Sequence, residues 1–240
     1  MIYSFLKNNP WWSGDIRVLT DSLTNDAPFS SLNSHITVQR ICPEEYREVI
    51  EHNKQTTSPS VLKAFYKFEL FRDNDEYERI MWLDADTLIV SSIEELFTGN
   101  GEDNNTIMWV PDRCGGNEYF NTGVFIFNKK GSTNEIYNDL MNFSKTCKRE
   151  DYKNPKTFRG TYADQDIFNE RLKLFFTIKV AGNKYNQQGG QINNDTSIVH
   201  YLGGEKPWKY PDNKDDVFFK PWHEYMKMLN EEYPNIFDNL

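Results

Sequence analysis

The sequence predicts an α/β fold with a largely parallel central sheet, and three observations carry that prediction. Short runs rich in β-branched and aromatic residues alternate with amphipathic segments along the chain. Some of those runs, such as IMWL and GVFIF, are apolar throughout, the pattern of strands covered on both faces. No repeat and no linker breaks the alternation over 240 residues. That length fits one large domain or two small ones. The unbroken pattern favours a single domain over residues 1–240, its last stretch (about 211–240) forming a helical tail.

The elements follow in order. DIRVLT (15–20) and HITVQRI (35–41) read as strands. SPSVLKAFYKFELF (58–71) reads as a helix, with Ser58 as its cap and Pro59 at its first position. Val61, Leu62, Phe65, Phe68 and Phe71 recur there at helical spacing. RIMWLDADTLIV (79–90) reads as a buried strand with acids at its mouth, and SIEELF as a short helix. TIMWV (106–110) and YFNTGVFIFN (119–128) are strands. Ser132 and Glu135 form a capping-box pattern ahead of the helix IYNDLMNFSKTCK. ADQDIFNERLK is a further helix, TSIVHYLGG a late strand entering a glycine turn, and PWHEYMKMLNEEY an amphipathic helix. In open sheets of this kind ligands sit beyond the carboxyl ends of the strands.

Composition narrows the function. A formal net charge of -9 argues against a nucleic acid polymer as main partner, but leaves room for a phosphorylated small molecule held by a few local cations. Cys42, Cys114 and Cys147 contain no CxxC pair, so neither a zinc site nor a disulfide framework is indicated; free thiols in a reducing cytoplasm are expected. No apolar run approaches the roughly 18 residues that would span a membrane.

The chemistry concentrates in a few places. Asp84 and Asp86 are two apart, and in extended chain their side chains point the same way. Two carboxylates that close repel unless a cation or a proton lies between them; oxygen ligands suit magnesium or manganese. The plain alternative is a pair of loop acids facing water. In IVHYLGGEKPW, His200 ends an apolar strand and could complete a metal site, or could be a satisfied packing residue. Gly203 and Gly204 allow backbone N–H groups close to an anion, and Lys206 adds a point charge for phosphate; otherwise the segment is a surface turn. Asp164 and Gln165 occupy the first turn of a helix, where Thr161 and Asp164 also match a capping pattern. Asn121 is a polar residue inside an apolar run and needs partners. Lys63 and Lys67, four apart, fall on one face of the helix before the acidic strand.

The segments LDADTLIV, FNTGVFIFN, ADQDIFN and HYLGGEKPW stand in the order and at roughly the spacing of glycosyltransferase family 8, and the chain resembles its glycogenin-like branch over about residues 1–210. That resemblance implies a GT-A type nucleotide-sugar-binding fold. It implies a retaining transfer of a hexose, glucose or galactose, from a UDP-sugar to an acceptor hydroxyl, with Mn2+ or Mg2+ as cofactor. Asp84, Asp86 and His200 resemble the family's metal ligands, with Asp84 also touching substrate. Gly203 and Lys206 resemble its diphosphate contacts; Asn121, Asp164 and Gln165 resemble the groups that hold the donor sugar. Lys67 matches the family's basic residue on the preceding helix, with Lys63 as its rival.

Two departures accompany the resemblance. SFLKNN already sits at residues 4–9, so the chain is expected to begin inside the family's first helix, without its first strand and uridine loop. Residues 186–197, NQQGGQINNDTS, leave no room for glycogenin's insertion with an acceptor tyrosine, so a separate carbohydrate or glycoconjugate acceptor is expected. Three rivals remain. An N-terminally incomplete UDP- and metal-binding domain of weak activity is the first. A haloacid-dehalogenase type phosphatase is the second; it wants Thr or Val where Leu88 stands. An interaction scaffold resting on the aromatic tail is the third.

Overall fold

A computed structural model describes residues 1–22, 26–54, 59–74, 76–98, 105–113, 118–129, 131–151, 163–204 and 206–236. Expectations that rest on Ser58, Cys114 and Thr161 lie outside these, as do those on the side chains of Pro59 and Val61. The chain divides into two compact units, each assembled from separate segments. Among the described residues no helix is long and apolar enough to cross a membrane.

The first unit comprises Met1–Cys42, Asp84–Glu95 and Lys184–Leu240. It opens with α1 (Ile2–Asn8), followed by β1 (Ile16–Thr20), α2 (Ala27–Leu32) and β2 (Ile36–Arg40). β1 and β2 pair in parallel, Ile16 opposite Ile36. β4 (Thr87–Ile89) pairs antiparallel with β8 (Ile198–His200), and α7 (Lys220–Glu232) closes the unit. The backbone of β4 has partners besides those in β8. Ser4 Oγ accepts from the Ile89 N–H at 3.1 Å, and Asn8 Nδ2 donates to the Ile89 carbonyl at 3.0 Å, so polar side chains of α1 satisfy a strand edge. Leu88, Val199, Tyr201 and Phe219 form the apolar cluster beneath.

The second unit comprises Pro43–Leu83 and Leu96–Asn183. It holds α3 (Arg47–Asn53), a 3₁₀ helix at Pro59–Phe71, β3 (Arg79–Leu83), β5 (Thr106–Pro111), β6 (Phe120–Asn128), α5 (Asn134–Thr146), α6 (Ala163–Arg171) and β7 (Thr177–Val180). The short α4 (Glu95–Thr98) lies where the chain passes from one unit to the other. The sheet order is β3-β6-β5-β7. Its β6 strand is buried along nearly its whole length, which explains the apolar run Val124–Phe127 at its heart. Aromatic rings fill the core: Phe71 stacks on Phe127 at 5.0 Å, Phe68 on Phe168 at 5.4 Å and Trp109 on Phe120 at 5.4 Å.

Five expectations are corrected. The central sheet is not largely parallel: β6 runs antiparallel to both β3 and β5, and only β5–β7 is parallel. The short 112–119 connection between β5 and β6 allows an antiparallel return, whereas parallel neighbours need a longer crossover. The stretch 79–90 is not one strand, since β3 pairs with β6 while β4 pairs with β8. Residues 59–71 form a 3₁₀ helix, whose period of three puts Leu62, Phe65, Phe68 and Phe71 in register; the three phenylalanines are fully buried. With about 120° per residue, positions four apart diverge, so Lys67 is buried while Lys63 is exposed, not on one face with it. Finally, the cap of α5 is Thr133; Ser132 Oγ instead accepts the Asn134 N–H at 3.3 Å.

Candidate metal centre and buried polar network

The acids converge through a turn. The Asp84 main-chain carbonyl accepts the N–H of Thr87 at 3.0 Å and its hydroxyl at 2.8 Å. This tight turn, not extended chain, brings the two carboxylates round. β4 begins at its exit, and its register sets Thr87 opposite His200. The Tyr201 N–H donates to the Asp86 carbonyl at 3.0 Å, locking β8 against the turn. His200 Nε2 then lies 3.2 Å from Asp86 Oδ1 and 3.8 Å from Asp84 Oδ2. One ligand atom from each of the three residues falls within 4.8 Å of the others.

The imidazole is oriented from behind. Its Nδ1–H donates to Asn186 Oδ1 at 3.0 Å, which leaves the Nε2 lone pair facing the acids. Among the described residues, neither His200 Nε2 nor Asp86 Oδ1 has a hydrogen-bond partner, although both are buried. Buried polar atoms are ordinarily satisfied. Two unpartnered lone-pair donors aimed at each other, with a second carboxylate alongside, fit a divalent cation. Burial raises the Asp86 carboxyl, but Lys206 and, in its cationic form, the His200 ring outweigh it and hold the group well below the usual carboxylate range. Lys206 Nζ donates to Asp86 Oδ2 and to the Tyr201 carbonyl. Gly203, with φ at +68°, occupies the left-handed region that the turn between His200 and Lys206 requires.

In the second unit another polar cluster is assembled around α6. The first turn of α6 presents Asp164, Gln165 and Asp166, all buried. Asp164 Oδ2 accepts from Lys67 Nζ at 2.9 Å and from Thr122 Oγ1 at 3.0 Å. Gln165 Oε1 accepts from Asn121 Nδ2 at 3.2 Å and from the Thr122 N–H at 3.1 Å, while its Nε2 donates to Asp112 Oδ2 at 3.2 Å. Asn121 Oδ1 in turn accepts the Gly123 N–H at 3.0 Å. Tyr119 donates to Asp166 at 2.6 Å; burial first, then that carboxylate, pushes its phenol up. A lysine, two amides and a carboxylate far apart in sequence thus hold one another in fixed orientations.

The structure therefore gathers Asp84, Asp86, His200 and Lys206 in one unit and Lys67, Asn121, Asp164 and Gln165 in the other. Trp208, expected as a wall of the lysine turn, has Lys206 Nζ 5.8 Å above its ring and is half exposed. Sequence reasoning missed Asn186, Asp112, Thr122 and the Tyr119–Asp166 pair. Asn186 and Asp112 each carried a faint signal, as a polar residue directly after Tyr185 and after the apolar run of β5.

A mixed α/β architecture with an acid–acid–imidazole cluster defines a class, and comparison with known proteins gives it a family. The family model described as Glycosyl transferase family 8 matches residues 1–212, so the chain belongs to glycosyl transferase family 8. Glycogenin-1 of Caenorhabditis elegans is 28% identical over 160 residues, covering 62% of this chain and 33% of that protein. Glycogenin-2 of Homo sapiens is 29% identical over 140 residues, 57% of this chain and 26% of its own length. The chain thus spans a third or less of these two curated relatives. Among solved structures, the galactosyltransferase LgtC, in complex with donor and acceptor sugar analogues, superposes with a TM-score of 0.67 at 17% identity, covering 98% of this chain and 93% of that one. The glycosyltransferase GlyE of Streptococcus pneumoniae TIGR4 gives 0.65 at 17% identity, covering 98% and 60%. The fold is the GT-A fold of those enzymes.

Proposed function

We propose that residues 1–240 act as one metal-dependent retaining glycosyltransferase domain, moving glucose or galactose from a UDP-sugar to a hydroxyl of a separate carbohydrate or glycoconjugate acceptor. The observation that carries this reading is the β4–β8 register, which sets His200 beside Asp84 and Asp86. Family membership, and an LgtC structure with donor and acceptor sugar analogues, support the reaction class. The exposed thiol of Cys42 suits a reducing, cytoplasmic setting.

Asp84, Asp86 and His200 hold the cation, Mn2+ in preference to Mg2+ because an imidazole stands among the ligands. When bound, it neutralises charge on the departing UDP as a Lewis acid. Asn186 keeps the His200 lone pair aimed at the ion. Lys206 and the backbone around Gly203 supply positive potential for the β-phosphate. The remaining roles follow from the family resemblance: Asn121, Asp164 and Gln165 hold the donor sugar and Lys67 contacts substrate; Lys67 Nζ also donates to Asp164 and fixes its orientation. Gln165 has both ends of its amide engaged, by Asn121 and Thr122 on one side and Asp112 on the other. A restrained amide is a poor nucleophile, which favours attack on the same face as the leaving phosphate over a covalent intermediate.

Transfer and hydrolysis assays with radiolabelled UDP-glucose and UDP-galactose, run beside calorimetric UDP titration, test the proposal. Turnover of one donor that stops on chelation and returns with Mn2+ is expected. Binding of UDP and Mn2+ with no turnover of either donor would favour a weakly active binding domain instead.

A further inference from the structure

Lys206 is a cation already seated on a metal ligand. Its ammonium donates to Asp86 Oδ2 and to the Tyr201 carbonyl, and its side chain is only 14% exposed. Asp86 turns its other oxygen, Oδ1, toward His200 Nε2 at 3.2 Å. The carboxylate is therefore shared between a built-in monovalent cation and the acid–imidazole cluster. Asp84 and Asp86 bring two negative charges, and Lys206 offsets one of them at contact distance. A second cation arriving on Asp86 meets that positive charge with little water between. The lysine stem has four rotatable carbons, and among the described residues, chain neighbours apart, no atom lies within 4 Å of where a Cβ on Gly203 or Gly204 would lie.

We propose that Lys206 is an internal counter-cation that gates the metal centre. While it sits on Asp86 it holds the affinity for a divalent ion down. A nucleoside diphosphate draws the ammonium onto its own oxygens and releases the carboxylate to the ion. The inference rests on the transferase reading and deepens it, because one side chain then couples cation and nucleotide. By linkage each raises the other's affinity by the same factor.

Direct attraction between ion and phosphate also couples the two ligands, so the discriminating quantity is cation affinity without nucleotide. Mn2+ binding to the full chain is followed by the electron paramagnetic resonance signal of free Mn2+, for wild type, Lys206→Met and Lys206→Arg. Lys206→Met is expected to bind Mn2+ about fivefold more tightly or better, with Lys206→Arg near wild type. Adding UDP should then tighten Mn2+ binding less in Lys206→Met than in wild type. Lys206→Gln, which keeps a polar tip, serves if the methionine variant does not fold. A neutral variant binding Mn2+ no more tightly than wild type overturns the gate alone. Absence of Mn2+ binding in every protein overturns the gate and the transferase reading together.

Discussion

At the scale of single residues, the metal centre depends on atoms whose partners are set elsewhere. His200 is useful to a cation only because Asn186 takes its other nitrogen. Replacing Asn186 with Ala frees the ring to turn and is expected to weaken Mn2+ binding by roughly 10–100-fold, read by titration of the folded variant; unchanged affinity would show that Asn186 orients nothing. Asp86→Ala and His200→Ala remove ligands outright and should each lower the transfer rate on the order of 10²–10³ or more. Near-wild-type turnover in either would remove the metal assignment. The acids and the histidine were legible in the sequence because strand-end polar residues stand out against apolar runs. Asn186 was not, because its role exists only through the register of a strand fourteen residues on.

At the scale of elements, the 3₁₀ helix Pro59–Phe71 does two jobs. Its period of three drives Phe65, Phe68 and Phe71 into the aromatic core, and the same winding turns Lys67 inward to Asp164. The residue types gave the buried face away, but a helix of the commoner period was assumed, and that wrongly set Lys63 beside Lys67. Lys67→Met leaves the Asp164 carboxylate buried without its cation, the Thr122 hydroxyl still donating to it. It should cost about 3–5 kcal/mol in urea unfolding, with much of that recovered in Lys67→Met/Asp164→Leu. A loss no larger than that of an exposed lysine would contradict the buried pair. The break between β3 and β4 was hidden for a related reason: both halves are apolar, and only their partners, β6 and β8, distinguish them.

For the whole molecule, the chain leaves one unit at Leu83 and enters the other at Asp84, so the acidic motif begins at a crossing point. The α/β class and the positions of most helices and strands followed from alternation and periodicity. The strand directions did not, because antiparallel neighbours buried on both faces read like parallel ones. If the cation belongs to the folded chain and not to its unfolded form, Mn2+ at about 100 times its dissociation constant should add roughly 2.7 kcal/mol of stability. A melting temperature that rises with Mn2+ in wild type and stays put in Asp84→Ala is the expected pattern; an equal rise in both would place the ion elsewhere.

The most direct test is to locate the ion. Anomalous diffraction at the manganese edge, from crystals grown with Mn2+ and UDP, should give one peak bonded to Asp84, Asp86 and His200 Nε2 together. A peak bonded to other residues, or none at these three in crystals that contain the nucleotide, would contradict the account.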